Sequence, residues 1–525
     1  MAKMSSAMGE PMNANGALTK VGGSLDWFQI QLCLIFALQW TGIRAFVGFL
    51  PFIQKQPSFI CDSTPEGELP QVSNFYSCSE QEACASGKYQ FDLVEGASTW
   101  ITDFGLVCDR RYLIGILGST MFFGSLIGSY IGGSFSDRIG RRATHKLAII
   151  ATFVSLVMIL VSNSVPMLLL AVFIFGTLHH IANLVSMVLF AECFNDENGH
   201  WGTTLCNSLL GAGGILAAVI SIYINNWQRM VFLPLLQIFI VLARIPFIPE
   251  SPRFLILKGK FKEARIELNK IAEVNGNPPF EDAIQGEFKD VEIVEEEESL
   301  IQTDKAEATA NKSYSLLELL SFKSVRGKLL ICFVLYFTTG LCYYGILYLT
   351  PSITKDPEDV YLNAILLGLV EFVSINISGY LTGRFGRRLT CVVHFAIGAV
   401  GFLVFQQSES SFWLIVSICT GKYAVSAANN MLFIYCAELF PTVIKNTATG
   451  LCSLISKLGG VVAPSLVIMS KSIGVSSVTI FAVLCAFATV LTCVLPETKG
   501  RPLQDKIEED QPKKDLIDQK MPEFQ

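Results

Sequence analysis

Three charged side chains stand inside long apolar stretches of this 525-residue chain. Lys457 shares a helical face with Ser453, four positions earlier, while Glu371 and Arg44 lie in two other stretches. A charge at the centre of a bilayer costs about 2.5–3.5 kcal/mol on insertion scales, so it normally faces a cavity or a partner. These groups predict a binding site for small ions.

Aromatic and polar residues of further apolar stretches extend this candidate site. Tyrosines of two further stretches, among them Tyr343 and Tyr435, are candidates to contact an ammonium group, since cation–π contacts contribute about 0.5–2 kcal/mol each. Asn183 follows His179 by four positions on one polar helical stripe, and Asn430 shares a stretch with Tyr435. For any single aromatic residue, the alternative is simple packing.

Two alternatives remain open for the charged residues. In the first, Glu371 and Lys457 form a structural ion pair between two helices, because buried pairs can serve fold specificity. In the second, the long side chain of Arg44 extends outward to the lipid headgroups. The ion pair would still be compatible with a transport function.

The elements that carry these residues are predicted to cross a membrane. Hydrophobic residues make up 51% of the chain and charged residues 16%, against about 25% charged residues in ordinary soluble proteins. Twelve apolar runs reach about the 20 residues that a hydrocarbon core of about 30 Å requires. They lie near residues 27–50, 112–135, 144–163, 166–190, 203–225, 230–249, 327–351, 360–383, 389–407, 411–437, 446–470 and 474–495.

Short motifs repeat at a constant interval. Segment 133–142 recurs at 379–388, and Glu192 recurs as Glu438, both 246 positions later. A constant offset across apolar sequence indicates duplicated halves, which in many transporters enclose a binding site. The predicted fold is an all-α membrane protein with twelve transmembrane helices in two pseudo-symmetric six-helix bundles. The predicted parts are a tail (1–24), the first bundle (25–249), a linker with short helices (250–325), the second bundle (326–495) and a second tail (496–525).

Charges at the repeated motifs are predicted to gate the transporter. Acidic and basic groups at helix ends can pair across neighbouring helices and hold one closed state. Gly383 replaces the aspartate in the second copy, so a latch built on that aspartate should be weaker there. The alternative is that these charges only fix topology. The residues concerned are Asp137, Arg138, Arg141 and Glu192 in the first half and Arg384, Arg387 and Glu438 in the second.

Cations concentrate in the loops that carry the repeated motifs, which by the positive-inside rule places these loops and both termini in the cytoplasm. Segment 51–110 is then extracellular, where disulfides persist. Its four cysteines predict two bridges, with three connectivities open. They are Cys61, Cys78, Cys84 and Cys108.

The motif at 133–142 resembles the loop signature of the major facilitator superfamily. The whole chain then resembles its organic cation/anion/carnitine transporter branch, on the evidence of segments 99–109, 249–255, 343–345 and 421–423. The resemblance aligns Lys457 with a position that is basic in anion and carnitine members and acidic in cation-selective ones. It aligns Glu371 with an acid shared by cation and carnitine members, and Asn183 with an asparagine of carnitine-type members.

The sequence therefore predicts a multi-pass plasma-membrane transporter that moves small organic ions by alternating access. The best substrate is a carnitine- or betaine-like zwitterion. An organic anion transporter or exchanger is the close alternative, and a non-transporting receptor or scaffold the third. No enzyme motif, metal site, cofactor or nucleic-acid partner is predicted. The protein is expected to act as a monomer in the bilayer, and a sodium or proton coupling ion is left open.

Overall fold

Long helices dominate the computed structural model, which describes residues 12–24, 26–62, 75–92, 97–195, 199–284, 316–354 and 359–500. Within these ranges, eleven helices are long and apolar enough to cross a membrane, and the apolar stretch Gly211–Tyr223 belongs to a twelfth helix of 25 residues. At a rise of about 1.5 Å per residue, 20 residues cover about 30 Å. The twelve spans are, in chain order, Trp27–Ile53, Tyr112–Ile139, Arg141–Leu160, Val165–Glu192, Gly199–Tyr223, Trp227–Arg244, Lys323–Leu349, Asp359–Phe385, Arg387–Gln407, Ser411–Leu439, Thr442–Ile473 and Ser477–Val494.

The spans pack as two six-helix halves, which confirms the predicted fold class. The halves meet where the second span packs on the eleventh and the fifth on the eighth. One described contact joins Ser119 Oγ to Ser465 Oγ at 2.8 Å. Another stacks the ring of Phe52 on that of Tyr361, with centroids 5.3 Å apart. These contacts lie toward one end of the bundle, called here the disulfide end; the end that carries the repeated motifs is called the motif end.

A small disulfide-bonded subdomain covers the disulfide end. Strands β1 (Ser58–Asp62), β2 (Phe75–Cys78) and β3 (Tyr89–Asp92) form an antiparallel sheet in the order β2-β1-β3. Helix Glu80–Ser86 lies between β2 and β3, with Ser79 at its N-cap. The two bridges are Cys61–Cys78 and Cys84–Cys108, which selects one of the three possible connectivities.

Short helices cover the motif end of the first half. Helices Pro252–Leu257 and Phe261–Asn275 follow the sixth span, and the second buries Ala264, Leu268 and Ile271, which lie on one helical face.

The amino-terminal helix Ala14–Lys20 packs beside these short helices with Leu18 buried. The Asn275 side chain fastens this segment, because its Nδ2 donates to Gly22 O at 2.9 Å and its Oδ1 accepts from Phe28 N at 2.8 Å. Lys20 adds an ion pair with Asp282.

Candidate functional site

Glu371 lies at the centre of a charged cluster, about halfway along the eighth span. Its Oε1 accepts from Arg44 Nη2 of the first span at 2.8 Å and from Tyr343 OH of the seventh at 2.5 Å. Its Oε2 pairs with Lys422 Nζ of the tenth span at 3.0 Å. Both carboxylate oxygens are therefore engaged, and the Arg44–Glu371 pair connects the two halves of the protein.

Lys422 is the site residue that the sequence analysis missed. Its side chain is 7% exposed, and its Nζ lies 3.5 Å from the centroid of the Tyr343 ring, which gives a cation–π contact in addition to the ion pair. The signal was present, because Lys422 is also a charge inside an apolar stretch.

The structure contradicts both alternatives that the sequence left open for the charged residues. Glu371 pairs with Arg44 and Lys422, not with Lys457, so the proposed Glu371–Lys457 ion pair is absent from the described residues. Arg44 does not extend to the lipid headgroups either; its guanidinium points inward and contacts Glu371 and the Tyr343 hydroxyl.

Lys457 lies near the middle of the eleventh span without an ion pair to any described carboxylate. Its Nζ is 3.5 Å from Tyr344 OH and 5.9 Å from the centroid of that ring. The Tyr343 and Tyr344 rings stand nearly perpendicular with centroids 5.0 Å apart, and Phe122 packs on the other side of Tyr344. Adjacent tyrosines thus connect Lys457 to the cluster around Glu371.

A narrow cavity that is partly open to solvent lies against this cluster. Glycines and apolar side chains of the first, fifth, seventh and eighth spans form most of its wall, and the polar groups converge on one side. Those groups are Arg44, Tyr343, Glu371 and Lys422.

Four other predicted site residues are dispersed. Asn430 Nδ2 donates to Ser378 Oγ at 2.9 Å and so ties the tenth span to the eighth. Ser453 is partly exposed on the helical face of Lys457, and Asn183 Oδ1 is buried with no hydrogen-bond partner. The expectation for Tyr435 is wrong: its buried hydroxyl donates to Pro496 O at 2.5 Å, beyond the motif end of the twelfth span, so it packs and does not face the cavity.

At the motif end of the first half, Arg141 joins two carboxylates. Its Nε lies 3.2 Å from Glu192 Oε2, and its Nη1 lies 2.7 Å from Asp137 Oδ1. The Arg141 side chain is 10% exposed, whereas Asp137 is 65% exposed. Arg138 is exposed beside them. Glu192 is therefore the partner that the sequence predicts, and the pairing stays within the first half.

The second half repeats this pairing with one carboxylate fewer. Arg387 Nη2 lies 2.7 Å from Glu438 Oε1, and Gly383 supplies no counterpart to Asp137. Thr498 Oγ1 donates to the other Glu438 oxygen at 2.7 Å. Arg384 Nη1 donates to Tyr380 OH at 3.1 Å and takes no part in the pair.

A second pair of glutamates, whose role the sequence analysis did not assign, caps the third and ninth spans. Glu250 Oε1 accepts from Arg141 N at 2.9 Å, and Glu497 Oε1 from Arg387 N at 2.9 Å. Carboxylates stabilise helix N-termini, where backbone N–H groups have no intrahelical partner. Burial alone would raise the pKa of Glu497, but four backbone N–H donors, those of residues 387, 388, 498 and 499, lower it below its ordinary value.

Glycine is required just before each cap. Gly140 and Gly386 have φ values of +107° and +96°, which residues with a Cβ rarely adopt. A Cβ at Gly140 would also lie 2.6 Å from Glu250 Oε2, and one at Gly386 2.8 Å from Glu497 Oε2. The repeated glycines and the distant glutamates of the two motifs therefore form one structural unit in each half.

Comparison with known proteins agrees with this architecture. Residues 67–510 match the family model described as "Sugar (and other) transporter". The chain belongs to this transporter family. Among solved structures, the inward-open xylose transporter XylE from E. coli has a TM-score of 0.62 at 16% identity, covering 89% of this chain and 98% of that one. At that identity the likeness shows the fold, which is the major facilitator fold.

Curated relatives of this transporter confirm its organic-ion branch. It is 29% identical over 451 residues to Solute carrier family 22 member 6-B of Xenopus laevis, covering 85% of this chain and 79% of the relative. It is 28% identical over 437 residues to Organic cation/carnitine transporter 2 of Homo sapiens, covering 82% and 74%. These relatives are transporters and not enzymes.

Proposed function

We propose that this protein carries small organic anions across the plasma membrane by alternating access, and that Arg44, Lys422 and Lys457 attract the substrate. The observation that carries the proposal is the charge balance of the central cluster. Among the described residues, Arg44, Lys422 and the neighbouring Lys457 are matched by the one carboxylate of Glu371, which leaves a surplus of two positive charges. An anionic group on the substrate would offset this surplus, which is costly at membrane depth.

The geometry also supports a location for the anionic group. Both oxygens of Glu371 are already bound, so a cationic substrate would have to compete with Arg44 and Lys422 for this carboxylate. Within the part of the chain that the structure describes, Lys457 contacts the hydroxyl and the ring of Tyr344, so its ammonium has donors to spare. A substrate carboxylate is expected to contact Lys457 directly and to compete with Glu371 for Arg44 and Lys422.

Alternating access is consistent with where the halves touch. The described contacts Ser119–Ser465 and Phe52–Tyr361 join the halves toward the disulfide end. The ion pairs of Arg141 and Arg387 stay inside their own halves at the motif end. We assign the disulfide end to the cell exterior and the motif end, with both termini, to the cytoplasm. The halves are then closed toward the exterior, and the Arg44–Glu371 pair lies in the interface between them, which must open during transport.

Uptake of labelled solutes by cells that express the chain tests the proposal. A monocarboxylate such as benzoate should enter faster than carnitine or tetraethylammonium, and unlabelled benzoate should compete. Lys457→Ala should lower anion uptake by about 10- to 100-fold, the size of a lost charged hydrogen bond of about 1.5–3 kcal/mol. Lys270→Ala on the exposed linker helix is the control and should behave as the wild type. Cation uptake that survives Lys457→Ala without any anion uptake would refute the proposal.

A zwitterion is the second candidate, favoured by the aromatic groups beside the cations. The perpendicular rings of Tyr343 and Tyr344 offer π faces to an ammonium group, and one relative is named a carnitine transporter. Carnitine uptake that exceeds benzoate uptake, and that falls when Tyr344 is changed to leucine, would favour this candidate. Uptake of neither solute would favour the receptor or scaffold.

A further inference from the structure

Three buried cysteines from three different spans meet in the second half, away from the charged cluster. Cys436 of the tenth span and Cys452 of the eleventh have their sulfur atoms 3.8 Å apart. Cys332 of the seventh span lies close to both. All three side chains are almost fully buried, and none is disulfide-bonded.

Polar groups around the sulfurs favour one of them as the nucleophile. Thr449 Oγ1 donates to Cys436 Sγ at 3.9 Å, and a donor of this kind stabilises a thiolate, the reactive form of cysteine. Tyr336, one helical turn from Cys332, has a buried hydroxyl with no hydrogen-bond partner, so the cysteines enclose a polar spot in otherwise apolar packing. Ordinary buried cysteines act as small hydrophobic residues and lack such surroundings.

We propose that Cys436 and Cys452 form an oxidisable dithiol whose reaction partner is a small peroxide. The Cys436 thiolate attacks one peroxide oxygen, the S–O bond forms, the O–O bond breaks and hydroxide leaves. The Cys452 thiolate then attacks the sulfenic sulfur, the S–S bond forms, the S–O bond breaks, and hydroxide leaves to be protonated to water. Two thiols are oxidised by two electrons, and one hydrogen peroxide is reduced to two waters.

The bridge would stiffen the connection between two spans. The tenth span ends at Leu439 and the eleventh begins at Thr442, so the chain joins them through two residues at the motif end. A second covalent link, ten residues into the eleventh span, removes the freedom of the two helices to change their angle. Lys422 and Lys457 lie on these two spans, so, resting on the proposed function, oxidation fixes the spacing of two binding cations and stops transport.

Mass spectrometry of the full-length protein tests the bridge independently of transport. Cells are treated with hydrogen peroxide, free thiols are blocked with N-ethylmaleimide, and the purified protein is cut with trypsin. Because Lys445 lies between the two cysteines, trypsin releases peptides 423–445 and 446–457 separately unless a bridge joins them. The joined peptide pair is expected, and dithiothreitol should separate it. Absence of the pair, or a bridge from either cysteine to Cys332 in its place, would overturn the assignment.

Uptake measurements then test the consequence. Peroxide should abolish uptake by the wild type, and dithiothreitol should restore it. Cys436→Ser and Cys452→Ser should retain uptake after peroxide, while Cys391→Ser, a buried cysteine of the ninth span, should respond as the wild type does. If a serine variant does not reach the cell surface, the corresponding alanine variant replaces it. A joined peptide with undiminished uptake would refute the locking effect, whereas a joined peptide in a protein that never transports would count against the proposed function alone.

Discussion

At the motif end, the two halves cap a helix in the same way but differ in the ion pair beside it. Each half places a distant glutamate on the first backbone N–H groups of a span, Glu250 on the third and Glu497 on the ninth. Each also pairs an arginine with a glutamate at the end of the following span. In the first half alone, Asp137 adds a second carboxylate to Arg141. Both halves have thus kept the glutamate that caps a helix N-terminus, while the ion pair differs between them.

The difference in charge explains a difference in burial. Arg141, with two carboxylates, is 10% exposed, and Arg387, with one, is 22% exposed. A guanidinium has five N–H donors, and those that carboxylates do not satisfy need other acceptors or water. The first half therefore holds its arginine more tightly, and the second half is the one expected to open more easily.

Removing the arginines should have the largest effect on stability, and the size of the loss should differ between the two halves. Arg141→Ala leaves Glu192 and Asp137 without their partner and should destabilise the protein by about 2–3 kcal/mol, the size of a hydrogen bond between charged groups, because both carboxylates keep some contact with water. Arg387→Ala should cost about 1–2 kcal/mol, because Glu438 keeps its bond from Thr498. The apparent midpoints of heat denaturation in one detergent measure the order. Equal losses would contradict the asymmetry.

Changing the cap glycines should affect both halves alike. Gly140→Ala and Gly386→Ala each place a Cβ at a positive φ and against a glutamate oxygen, which should cost about 1–3 kcal/mol. Gly133→Ala is the matched control, since a Cβ there meets no atom within 4 Å. The same denaturation assay checks this prediction, and a loss confined to one half would mean that the caps are not equivalent.

Restoring the missing carboxylate should reduce the difference between the halves. A Cβ at Gly383 meets no atom within 4 Å, so Gly383→Asp has room and places an acid four residues before Arg387. The gain should be below about 1 kcal/mol, from helix propensity and one exposed pair. The informative comparison is Gly383→Asn, which supplies a side chain of the same size without charge. If both variants are equally stable, the pair contributes nothing.

Protonation of Glu497 in acid should have the smallest effect on stability of the four changes considered. The pKa of Glu497 is lowered in the folded protein, so its contribution is fully present above its ordinary value of 4.5 and is lost as the pH falls through the lowered value. The contribution should be below about 1 kcal/mol, since the group is partly solvated. Denaturation of the wild type and Glu497→Gln should differ near neutral pH and converge as the pH falls below the lowered pKa of Glu497. A constant difference would show that the charge does not matter.

Sequence repetition predicted the paired ends but not the central contacts. Glu192 and Glu438 were identifiable because one offset relates both motifs, and the apolar runs located the twelve spans. The partner of Glu371 depends on how the eighth and tenth helices rotate against each other, which single-helix periodicity does not contain. Lys422 and Lys457 are both lysines in apolar runs, and tertiary packing alone distinguishes them. Tyr435 illustrates the same limit, because its hydroxyl reaches a carbonyl 61 positions later.

The docked amino-terminal segment has a practical consequence for handling the protein. Residues 12–23 form part of the folded body, since Leu18 and Val21 are fully buried and Asn275 binds the carbonyl oxygens of Val21 and Gly22. Affinity tags and fluorescent fusions are best joined ahead of residue 12. Trimming the chain to the start of the first span would expose the apolar surface that covers Leu18 and Val21 and would leave the Asn275 amide without these acceptors. The shortened protein should therefore aggregate during purification.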